Sequence, residues 1–251
     1  MSDLNGVNFG HRQVTATEKT RLVQDVFARV ASRYDTMNDI MSFGAHRLFK
    51  RMAVDMTGLA AGQSVLDLAG GTGDLSALLQ PVVGEFGKVV LADLNPQMMT
   101  VGRDRLYDAG IAGVQFCRTR AEALPFADNS FHAVTISFGL RNFTSKEVAL
   151  TEIRRVLQPG GALVVLEFSL PDDPLLGTLY KGYQALWPAF GKWVAGDSAP
   201  YQYLVESIEH HPRPAALALM MEDAGLTDVT HHPLAGGVAA IHRGVKAWAR
   251  A

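Results

Sequence analysis

The chain has 251 residues, of which 48% are apolar and 19% are charged, and its formal net charge is −2. This composition is too apolar for a disordered chain, and the length suits one large domain with a sizeable core. Without a basic excess, the chain lacks the electrostatic footprint of a general nucleic-acid-binding protein, so no nucleic-acid partner is expected. A single cysteine, Cys117, excludes an internal disulfide and indicates a reducing compartment. The polar segment 1–10 has no signal-peptide core, so we expect a cytoplasmic protein.

The first sixty residues carry helical patterns. Thr15 and Glu18 fit a capping box, and apolar residues follow at helical spacing as far as Val30. A second helix is predicted over about residues 45–56, and the segment between the two, residues 34–44, is predicted to be a loop. The apolar side of the second helix is expected to contain Leu48, Phe49, Met52 and Met56.

From residue 64 onwards, short apolar runs alternate with amphipathic segments. This alternation predicts an α/β fold with a parallel sheet and helices on both of its faces. Residues 159–161, Pro-Gly-Gly, predict a turn between a helix and the strand that follows. Residues 229–232 and 238–245 are joined too closely to hold a crossover helix, so they predict an antiparallel pair at the end of the sheet. The other predicted strands are residues 64–68, 88–91, 114–117, 133–137 and 162–168.

The most informative stretch is residues 65–75, Val-Leu-Asp-Leu-Ala-Gly-Gly-Thr-Gly-Asp-Leu. A buried strand carries an acid near its end, and a glycine-rich turn leads into a helix that begins near Asp74. The glycines, including Gly71 and Gly73, permit a tight turn and let a ligand approach the backbone. Asp93 follows at the end of the second strand, where a carboxylate can hold two ribose hydroxyls. The pattern predicts a site for a nucleoside-containing cofactor.

Two classes of cofactor use such a site. A dinucleotide places its diphosphate at the helix N-terminus, usually with glycine at a third fingerprint position, where this chain has Ser76. Asp74 would set a negative charge close to that diphosphate. S-Adenosylmethionine has no phosphate, and its ammonium and sulfonium groups are cationic, so Asp67 and Asp74 favour it. A glycine-rich turn without any ligand is the alternative.

Seven motifs along nearly the whole chain resemble those of one known family. They are residues 26–44, 65–75, 91–96, 121–126, 135–142, 159–169 and 239–244. The chain resembles the class I S-adenosylmethionine-dependent methyltransferases, and specifically the C-methyltransferases of ubiquinone and menaquinone biosynthesis. The glycine-rich loop is shared by many methyltransferases. Tyr-Asp-Thr-Met-Asn-Asp at 34–39 and Ile-Ser-Phe-Gly-Leu-Arg-Asn at 136–142 are far more particular to this family.

The resemblance implies a Rossmann-like class I fold with a seven-stranded, mostly parallel sheet and an antiparallel C-terminal hairpin. We expect a single overall domain with two parts. Residues 1–60 form a helical N-terminal extension that acts as a lid, and residues 61–251 form the S-adenosylmethionine-dependent methyltransferase domain.

The resemblance also implies roles for individual residues. Asp93 would bind the ribose, and Ser137 would lie near the cofactor at the end of the fourth strand. Arg120 and Ala121 would lie beside adenine. Similar proteins usually carry Asp or Asn at the position of Arg120, and arginine cannot accept a hydrogen bond from the adenine amino group. Either the backbone alone or Glu122 is therefore expected to recognise adenine. The predicted cofactor-binding residues are Asp67, Gly71, Thr72, Gly73, Asp93, Arg120, Ala121 and Ser137.

The implied reaction is methylation of a ring carbon on a prenylated benzoquinol or a demethylmenaquinol. A neutral aromatic carbon is a poor nucleophile, so the site must align the substrate, exclude water and accept the hydroxyl proton. The resemblance implies that Tyr34, Arg141 and Asn142 are catalytic. A guanidinium stays protonated, so we expect Arg141 to stabilise the phenolate while water or a carboxylate takes the proton. Alternatively, Arg141 and Asn142 cap the next helix and pair with an acid, and Tyr34 is a packing residue.

Seven aromatic residues between positions 180 and 203 predict either core packing or a lid over the quinol pocket. On the lid hypothesis, Trp187→Ala weakens substrate use far more than cofactor binding. The seven residues are Tyr180, Tyr183, Trp187, Phe190, Trp193, Tyr201 and Tyr203.

Arg47, Lys50 and Arg51 accompany apolar residues in the second predicted helix. This pattern fits either a solvated helix face or peripheral contact with the inner face of the cytoplasmic membrane. The adjacent histidine pairs at 210–211 and 231–232 lack the spacing of a metal site, so we expect no catalytic metal.

Three other functions stay open at this point. They are a class I methyltransferase acting on another small lipid-like molecule, a nicotinamide-dependent oxidoreductase, and a protein that binds S-adenosylmethionine without turnover. The sequence also leaves open the choice between ubiquinone and menaquinone precursors. Association as a homo-oligomer or within a quinone-biosynthesis assembly is equally open.

Overall fold

The computed structural model describes residues 6–248, without the side chains of Ser32, Asp35 and residues 193–195. The described residues do not include 1–5 of the predicted N-terminal extension or 249–251 of the predicted methyltransferase domain. They also do not include the aromatic ring of Trp193. The described chain begins with a small antiparallel ribbon of β1 (Val7–Phe9) and β2 (Arg12–Val14), which the sequence did not predict.

Three helices follow the ribbon: α1 (Ala16–Val30), α2 (Tyr34–Ser42) and α3 (Ala45–Asp55). Helix α1 begins at the predicted capping box, where the Thr15 hydroxyl accepts a hydrogen bond from the amide of Glu18 at 3.1 Å. The predicted loop over 34–44 is wrong, because most of that segment is helix α2. Met37 and Met41, one helical turn apart, are buried on its inner side.

The predicted apolar side of α3 is also wrong in part. Leu48 is 59% exposed and Met52 is 36% exposed. The helix is rotated so that another set of side chains is buried. That set is His46, Lys50, Ala53 and Val54.

The remaining chain alternates strands and helices around one sheet, as predicted. The strands are β3 (Ser64–Leu68), β4 (Lys88–Asp93), β5 (Val114–Arg118), β6 (Phe131–Ser137), β7 (Leu157–Phe168), β8 (Leu226–Leu234) and β9 (Ala239–Lys246). The helices are α4 (Asp74–Val83), α5 (Pro96–Asp108), α6 (Lys146–Val156), α7 (Pro174–Gln184), α8 (Trp187–Ala195), α9 (Ala199–Glu209) and α10 (Pro214–Asp223).

The strand order across the sheet is β5-β4-β3-β6-β7-β9-β8. Strands β3 to β7 are mutually parallel, and β9 is antiparallel to both of its neighbours, β7 and β8. The predicted seven-stranded, mostly parallel sheet with an antiparallel C-terminal pair is confirmed. The Pro-Gly-Gly segment at 159–161 lies inside β7 rather than before it. The ladder with β6 is irregular there, and Gly160 has a φ of +81°.

Both faces of the sheet are covered by helices, because successive residues of a strand point to opposite faces. Leu66 packs in a core cluster that includes Leu150 of α6, whereas its neighbour Val65 packs in a second cluster with Leu79 of α4. A third cluster joins α1 and α2 to α7–α9 and contains Met37 and Trp187. This arrangement holds the N-terminal helices against the carboxyl edge of the sheet.

Candidate functional site

A deep cleft lies where the carboxyl ends of β3, β4 and β6 meet. It encloses about 1040 Å³ of empty space, including its open mouth, and residues of α1 and α3 contribute to its walls. In an open parallel sheet, this edge is the usual place for a ligand. Among the residues that the structure describes, four carboxylates and two cations line the cleft, so their formal charge favours a positively charged ligand. They are Asp67, Asp74, Asp93, Glu122, Lys50 and Arg120.

The glycine-rich turn forms the floor of the cleft. Gly71 and Gly73 have φ values of +53° and +80°, a left-handed backbone that side chains disfavour. A Cβ atom on Gly70 would come within 2.7 Å of Leu91. Gly102 of α5 packs against the back of the turn, where a Cβ would lie 2.8 Å from the carbonyl oxygen of Gly71. The turn therefore needs glycine both for its own conformation and for its packing.

Asp93 ends β4 beside this turn. Its Oδ2 accepts the amide of Gly71 at 2.9 Å, and its Oδ1 accepts the amide of Asn95 at 2.8 Å. Burial raises the pKa of Asp93, and these backbone hydrogen bonds oppose the rise. A carboxylate oxygen has more than one lone pair, so both oxygens can accept further hydrogen bonds from ligand hydroxyls.

Asp67 is completely buried at the end of β3. Its Oδ2 accepts the Ser76 hydroxyl at 2.6 Å, and its Oδ1 lies 3.4 Å from the Thr135 hydroxyl. Burial raises the pKa of Asp67 to about 6, although these hydrogen bonds and the charge of Lys50 oppose the rise. A cationic ligand that binds beside Asp67 would stabilise the charged form of this carboxylate.

Asp74 begins helix α4, and its negative charge is balanced by two cations. Lys50 Nζ lies 2.7 Å from Oδ2, and Arg105 donates to Oδ1 at 2.8 Å. Burial alone would raise the pKa of Asp74, but Lys50 and Arg105 lower it to about 2. The contribution of Asp74 to the preference for a cationic ligand, which the sequence predicted, is therefore reduced by these two ion pairs. The preference for a cation rests on the cleft as a whole.

The far end of the cleft lies beyond β5. Ala121 is buried there, whereas the Arg120 side chain is 45% exposed, with Nε 3.7 Å from Glu122 Oε2. Glu122 Oε1 accepts the amides of Thr144 at 2.9 Å and Ser145 at 3.2 Å. One oxygen of Glu122 is thus committed to the backbone that precedes α6.

Ser137, at the end of β6, has a buried hydroxyl oxygen without a hydrogen-bond partner among the described residues. Because Ser137 also lines the cleft, a bound polar ligand can satisfy this oxygen. The orphaned hydroxyl, the Asp93 carboxylate and the open glycine turn together fit a nucleoside with a cationic substituent. S-Adenosylmethionine has these properties.

Arg141 lies on a short 3₁₀ turn after β6 and pairs with an acid. Its Nη1 lies 2.8 Å from Oε1 of Glu167 on β7 and also donates to the Phe138 carbonyl. Burial opposes ionisation of both members of the pair, but their mutual attraction raises the pKa of Arg141 and lowers that of Glu167. The Nε atom of Arg141 is buried without a partner among the described residues. The alternative in which Arg141 pairs with an acid agrees with this geometry.

Arg141 does not line the cofactor cleft. It lines a second cavity, of about 440 Å³ including its open mouth, formed largely by apolar side chains of α1, α2 and α9. Tyr34 and Phe27 line both spaces, so the two adjoin. Asn142 lines the cofactor cleft, and its Oδ1 accepts the hydroxyl of Tyr203 at 3.0 Å. Asn142 does not cap α6, because Ser145 is the cap residue there.

Helix α1 crosses the mouth of the cleft and is fixed at both rims. On one rim, Lys19 Nζ donates to the Phe143 carbonyl at 2.8 Å. On the other, Asn95 Nδ2 donates to the Gln24 carbonyl at 2.9 Å. The pKa of Lys19 falls to about 8, chiefly because the ammonium is buried. The N-terminal helix is therefore part of the cleft wall.

The sequence did not single out three side chains that shape the site. Lys50 was predicted to lie on a surface patch, but its side chain is only 8% exposed. Glu167 was detectable as the one acid in an apolar strand, a signal that a buried partner is needed. Tyr203 was grouped with the other aromatic residues and was not connected to Asn142. Trp187, the proposed lid residue, lines neither cavity and lies in the third core cluster.

Two negative observations apply to residues 6–248. No three histidine, cysteine or acidic side chains in this range meet in a cluster able to hold a metal ion. Within the same range, every helix is too short or too polar to cross a membrane.

The sheet order, the glycine-rich turn and the cation-favouring cleft define a class I S-adenosylmethionine-dependent methyltransferase. The structure is similar to the crystal structure of a SAM-dependent methyltransferase from Aquifex aeolicus, with a TM-score of 0.59, 19% identity, and coverage of 78% of this chain and 89% of that one. At this identity the likeness concerns the fold. The model of the ubiE/COQ5 methyltransferase family matches residues 13–246.

Individual relatives are much closer in sequence. The chain is 52% identical over 241 residues to the ubiquinone/menaquinone biosynthesis C-methyltransferase UbiE of Erwinia tasmaniensis, covering 95% of this chain and 96% of that protein. It is 51% identical over 249 residues to the protein of the same name from Hahella chejuensis, and the match covers 98% of this chain and 100% of that protein. The chain belongs to the ubiE/COQ5 methyltransferase family, and S-adenosylmethionine is its methyl donor.

Proposed function

We propose that this chain methylates a ring carbon of a prenylated benzoquinol, a demethylmenaquinol, or both, in ubiquinone and menaquinone biosynthesis. The observation that carries the proposal is the second cavity. It is mostly apolar, it adjoins the cofactor cleft through Phe27 and Tyr34, and the buried guanidinium of Arg141 lies in its wall. An apolar space with a few convergent polar groups suits a ring that carries oxygen atoms and a hydrocarbon tail.

The residues around this cavity support formation of a nucleophilic carbon. When bound, S-adenosylmethionine supplies the electrophilic methyl group. Arg141 Nε–H, which is buried and has no partner among the side chains that the structure describes, donates a hydrogen bond to the phenolate oxygen of the substrate. Because Glu167 balances the guanidinium, Arg141 contributes a directed donor rather than an uncompensated charge. The hydroxyl proton passes to a bound water molecule, since a guanidinium cannot accept it and the Glu167 carboxylate is occupied by its ion pair with Arg141. Tyr34, between the two spaces, orients the ring.

The cofactor residues follow the order of the strands. Asp93 accepts the ribose hydroxyls, and Ser137 binds the cofactor at the end of β6. Adenine lies against the backbone of residues 120–121, because Arg120 cannot accept from its amino group. Oε1 of Glu122 is committed to the backbone before α6, which leaves only its Oε2 as a side-chain acceptor there. Residues 1–60 form the lid part and residues 61–251 the methyltransferase part of one domain, with α1 excluding water from the cleft.

Quinone profiling tests the function directly. A strain that lacks this protein should accumulate the unmethylated quinone precursor. The purified protein with S-adenosylmethionine should add one methyl group to that precursor, as measured by mass spectrometry. Calorimetry with NAD serves as the control for an oxidoreductase. If the quinone profile were unchanged and the protein methylated another lipid-like molecule, that molecule and not a quinol would be the substrate.

We further propose that the lid part contacts a membrane surface, where a prenylated substrate resides. Phe43, at the turn between α2 and α3, is 86% exposed and stacks on Tyr183 of α7 with ring centroids 6.0 Å apart. Leu179 and Leu186 lie one turn on either side of Tyr183 and are also exposed. Of the three predicted basic residues, Lys50 is buried and Arg47 is paired with Asp39, whereas Arg51 is exposed, so the contact combines apolar side chains with the cation of Arg51.

Vesicle sedimentation tests the membrane proposal. Phe43→Ser should lower binding of the full chain to phosphatidylglycerol vesicles several-fold. The matched control is Phe86→Ser, because Phe86 is 91% exposed but lies just before β4, at the opposite edge of the sheet from the cleft. Equal vesicle binding by the wild type and both variants would refute the contact.

A further inference from the structure

Lys50 is the one lysine in the wall of the cofactor cleft, among its described lining residues. It projects from α3, a helix of the N-terminal part, and its side chain is almost entirely buried. Burying an ammonium group is costly unless it is paired, and Asp74 supplies one partner at 2.7 Å. A lysine ammonium has three donors, so this bond leaves capacity for a ligand.

The strand order predicts which part of the methyl donor reaches Lys50. Parallel strands end at the same edge, in the order β5, β4, β3, β6. Adenine lies beyond β5 and the ribose lies at Asp93 of β4, a placement that rests on the proposed function. The next strand inward is β3, whose end carries Asp67 and leads into the glycine-rich turn. An extended nucleoside therefore places its amino-acid end beside β3.

The amino-acid end of S-adenosylmethionine is a zwitterion, so it needs both a negative and a positive partner. Asp67 supplies a carboxylate for the ammonium group. Arg120 lies at the adenine end, and Arg105 does not line the cleft. Lys50 is the lining cation that remains near β3, close enough for its charge to lower the pKa of Asp67. We infer that Lys50 binds the α-carboxylate of S-adenosylmethionine.

This assignment gives α3 a specific task in the enzyme. The ligand carboxylate and Asp74 share one ammonium group, so binding ties the N-terminal part to the first turn of α4. A merely structural pairing of Lys50 with Asp74 would satisfy the helix without any contribution to ligand discrimination.

A pair of ligands that differ only in the carboxylate tests the inference by binding alone. Calorimetry measures the affinity of the full chain for S-adenosylmethionine and for decarboxylated S-adenosylmethionine. The wild type should prefer the intact ligand by about 30-fold or more, the usual cost of removing one partner of a buried charge pair. In Lys50→Met, this preference should fall to about one, with little change for the decarboxylated ligand.

Arg105→Met is the matched control, because Arg105 also neutralises Asp74 and donates to the Thr72 carbonyl at 3.0 Å. It should weaken both ligands by the same factor and keep the preference. If Lys50→Met does not fold, Lys50→Gln, which retains a donor for Asp74, gives the same comparison. A preference that survives the loss of Lys50, or a wild type without any preference, overturns the inference. Because no turnover is measured, the result is independent of the quinol proposal.

Discussion

Tyr203 donates its phenolic hydrogen to Oδ1 of Asn142 across 3.0 Å, and this bond fixes the orientation of the asparagine amide. Tyr203 is buried and stacks on Phe9 of β1, with ring centroids 4.4 Å apart. Burial raises the pKa of Tyr203, so its hydroxyl remains protonated and continues to donate. Asn142 lines the cleft, and because its Oδ1 accepts from Tyr203, its NH₂ group remains as a donor. That group can donate to a substrate oxygen but cannot accept a proton.

Tyr203→Phe tests whether this orientation matters for methyl transfer. Removing one hydrogen bond frees the amide to rotate, and we expect kcat to fall about tenfold. The affinity for S-adenosylmethionine should stay within about twofold, because the altered side chain, Tyr203, lines the second cavity and not the cofactor cleft. Steady-state kinetics and calorimetry measure the two quantities. Tyr107→Phe, a change at an exposed residue of α5, is the control and should alter neither. Parallel loss of kcat and cofactor affinity would indicate a structural role instead.

The raised pKa of Asp67 predicts how cofactor binding depends on pH. In the free enzyme its pKa is about 6, so at pH 5 the carboxyl is mostly protonated. A cationic ligand favours the carboxylate, and binding below pH 6 must therefore release a proton. Affinity for S-adenosylmethionine should rise as the pH increases from 5 to 6 and level off above about 7.

Calorimetry in buffers of different ionisation enthalpy detects the released proton. Asp67→Asn should bind more weakly at pH 7 and should lose most of the pH dependence between 5 and 7. The pKa of Asp93 is also raised, so the same series on Asp93→Asn identifies the responsible carboxylate. Proton release that persists in Asp67→Asn would assign the titration to another group.

A substitution at Gly102 tests how α5 packs against the glycine-rich turn. In Gly102→Ala the new methyl group meets the Gly71 carbonyl oxygen at 2.8 Å, and this backbone atom must move. Displacing the turn should weaken S-adenosylmethionine about tenfold or more. Gly182→Ala on α7 is the matched control, because no atom lies within 4 Å of the added group. It should stabilise the protein by about 1 kcal/mol and leave the dissociation constant unchanged. Equal affinities of the two variants would contradict this account of the turn.

Much of the fold could be predicted because it depends on local periodicity. The five predicted strands of the parallel part and the C-terminal hairpin recur in the structure with shifts at their ends. Helix α2 was missed because its polar residues resemble those of a loop. Its formation depends on burying Met37 and Met41 against Trp187, a contact between segments about 150 residues apart that no local pattern contains.

The sequence predicts those site residues whose positions are set by the ends of the strands. Asp67, Asp93 and Ser137 end three neighbouring parallel strands, so their meeting follows from topology alone. Lys50 was misplaced because its burial requires Asp74, which lies on another element. The charge of Lys50 suggested a side chain exposed to solvent, whereas its ion pair with Asp74 allows the side chain to be buried. Composition and residue spacing do not predict ion pairs between charged residues that are far apart in the sequence, such as the pair of Lys50 and Asp74.

Trp187 separates the core and lid interpretations of the aromatic cluster. It is 1% exposed and lies in the core with Tyr180 and Met37, so Trp187→Ala should lower the free energy of unfolding by about 3–5 kcal/mol. Cofactor affinity of the remaining folded protein should be little changed, since Trp187 does not line the cleft. Chemical denaturation measures the loss, and Trp248→Ala, at a residue 74% exposed, is the control. A variant of wild-type stability that had lost only quinol turnover would instead support the lid.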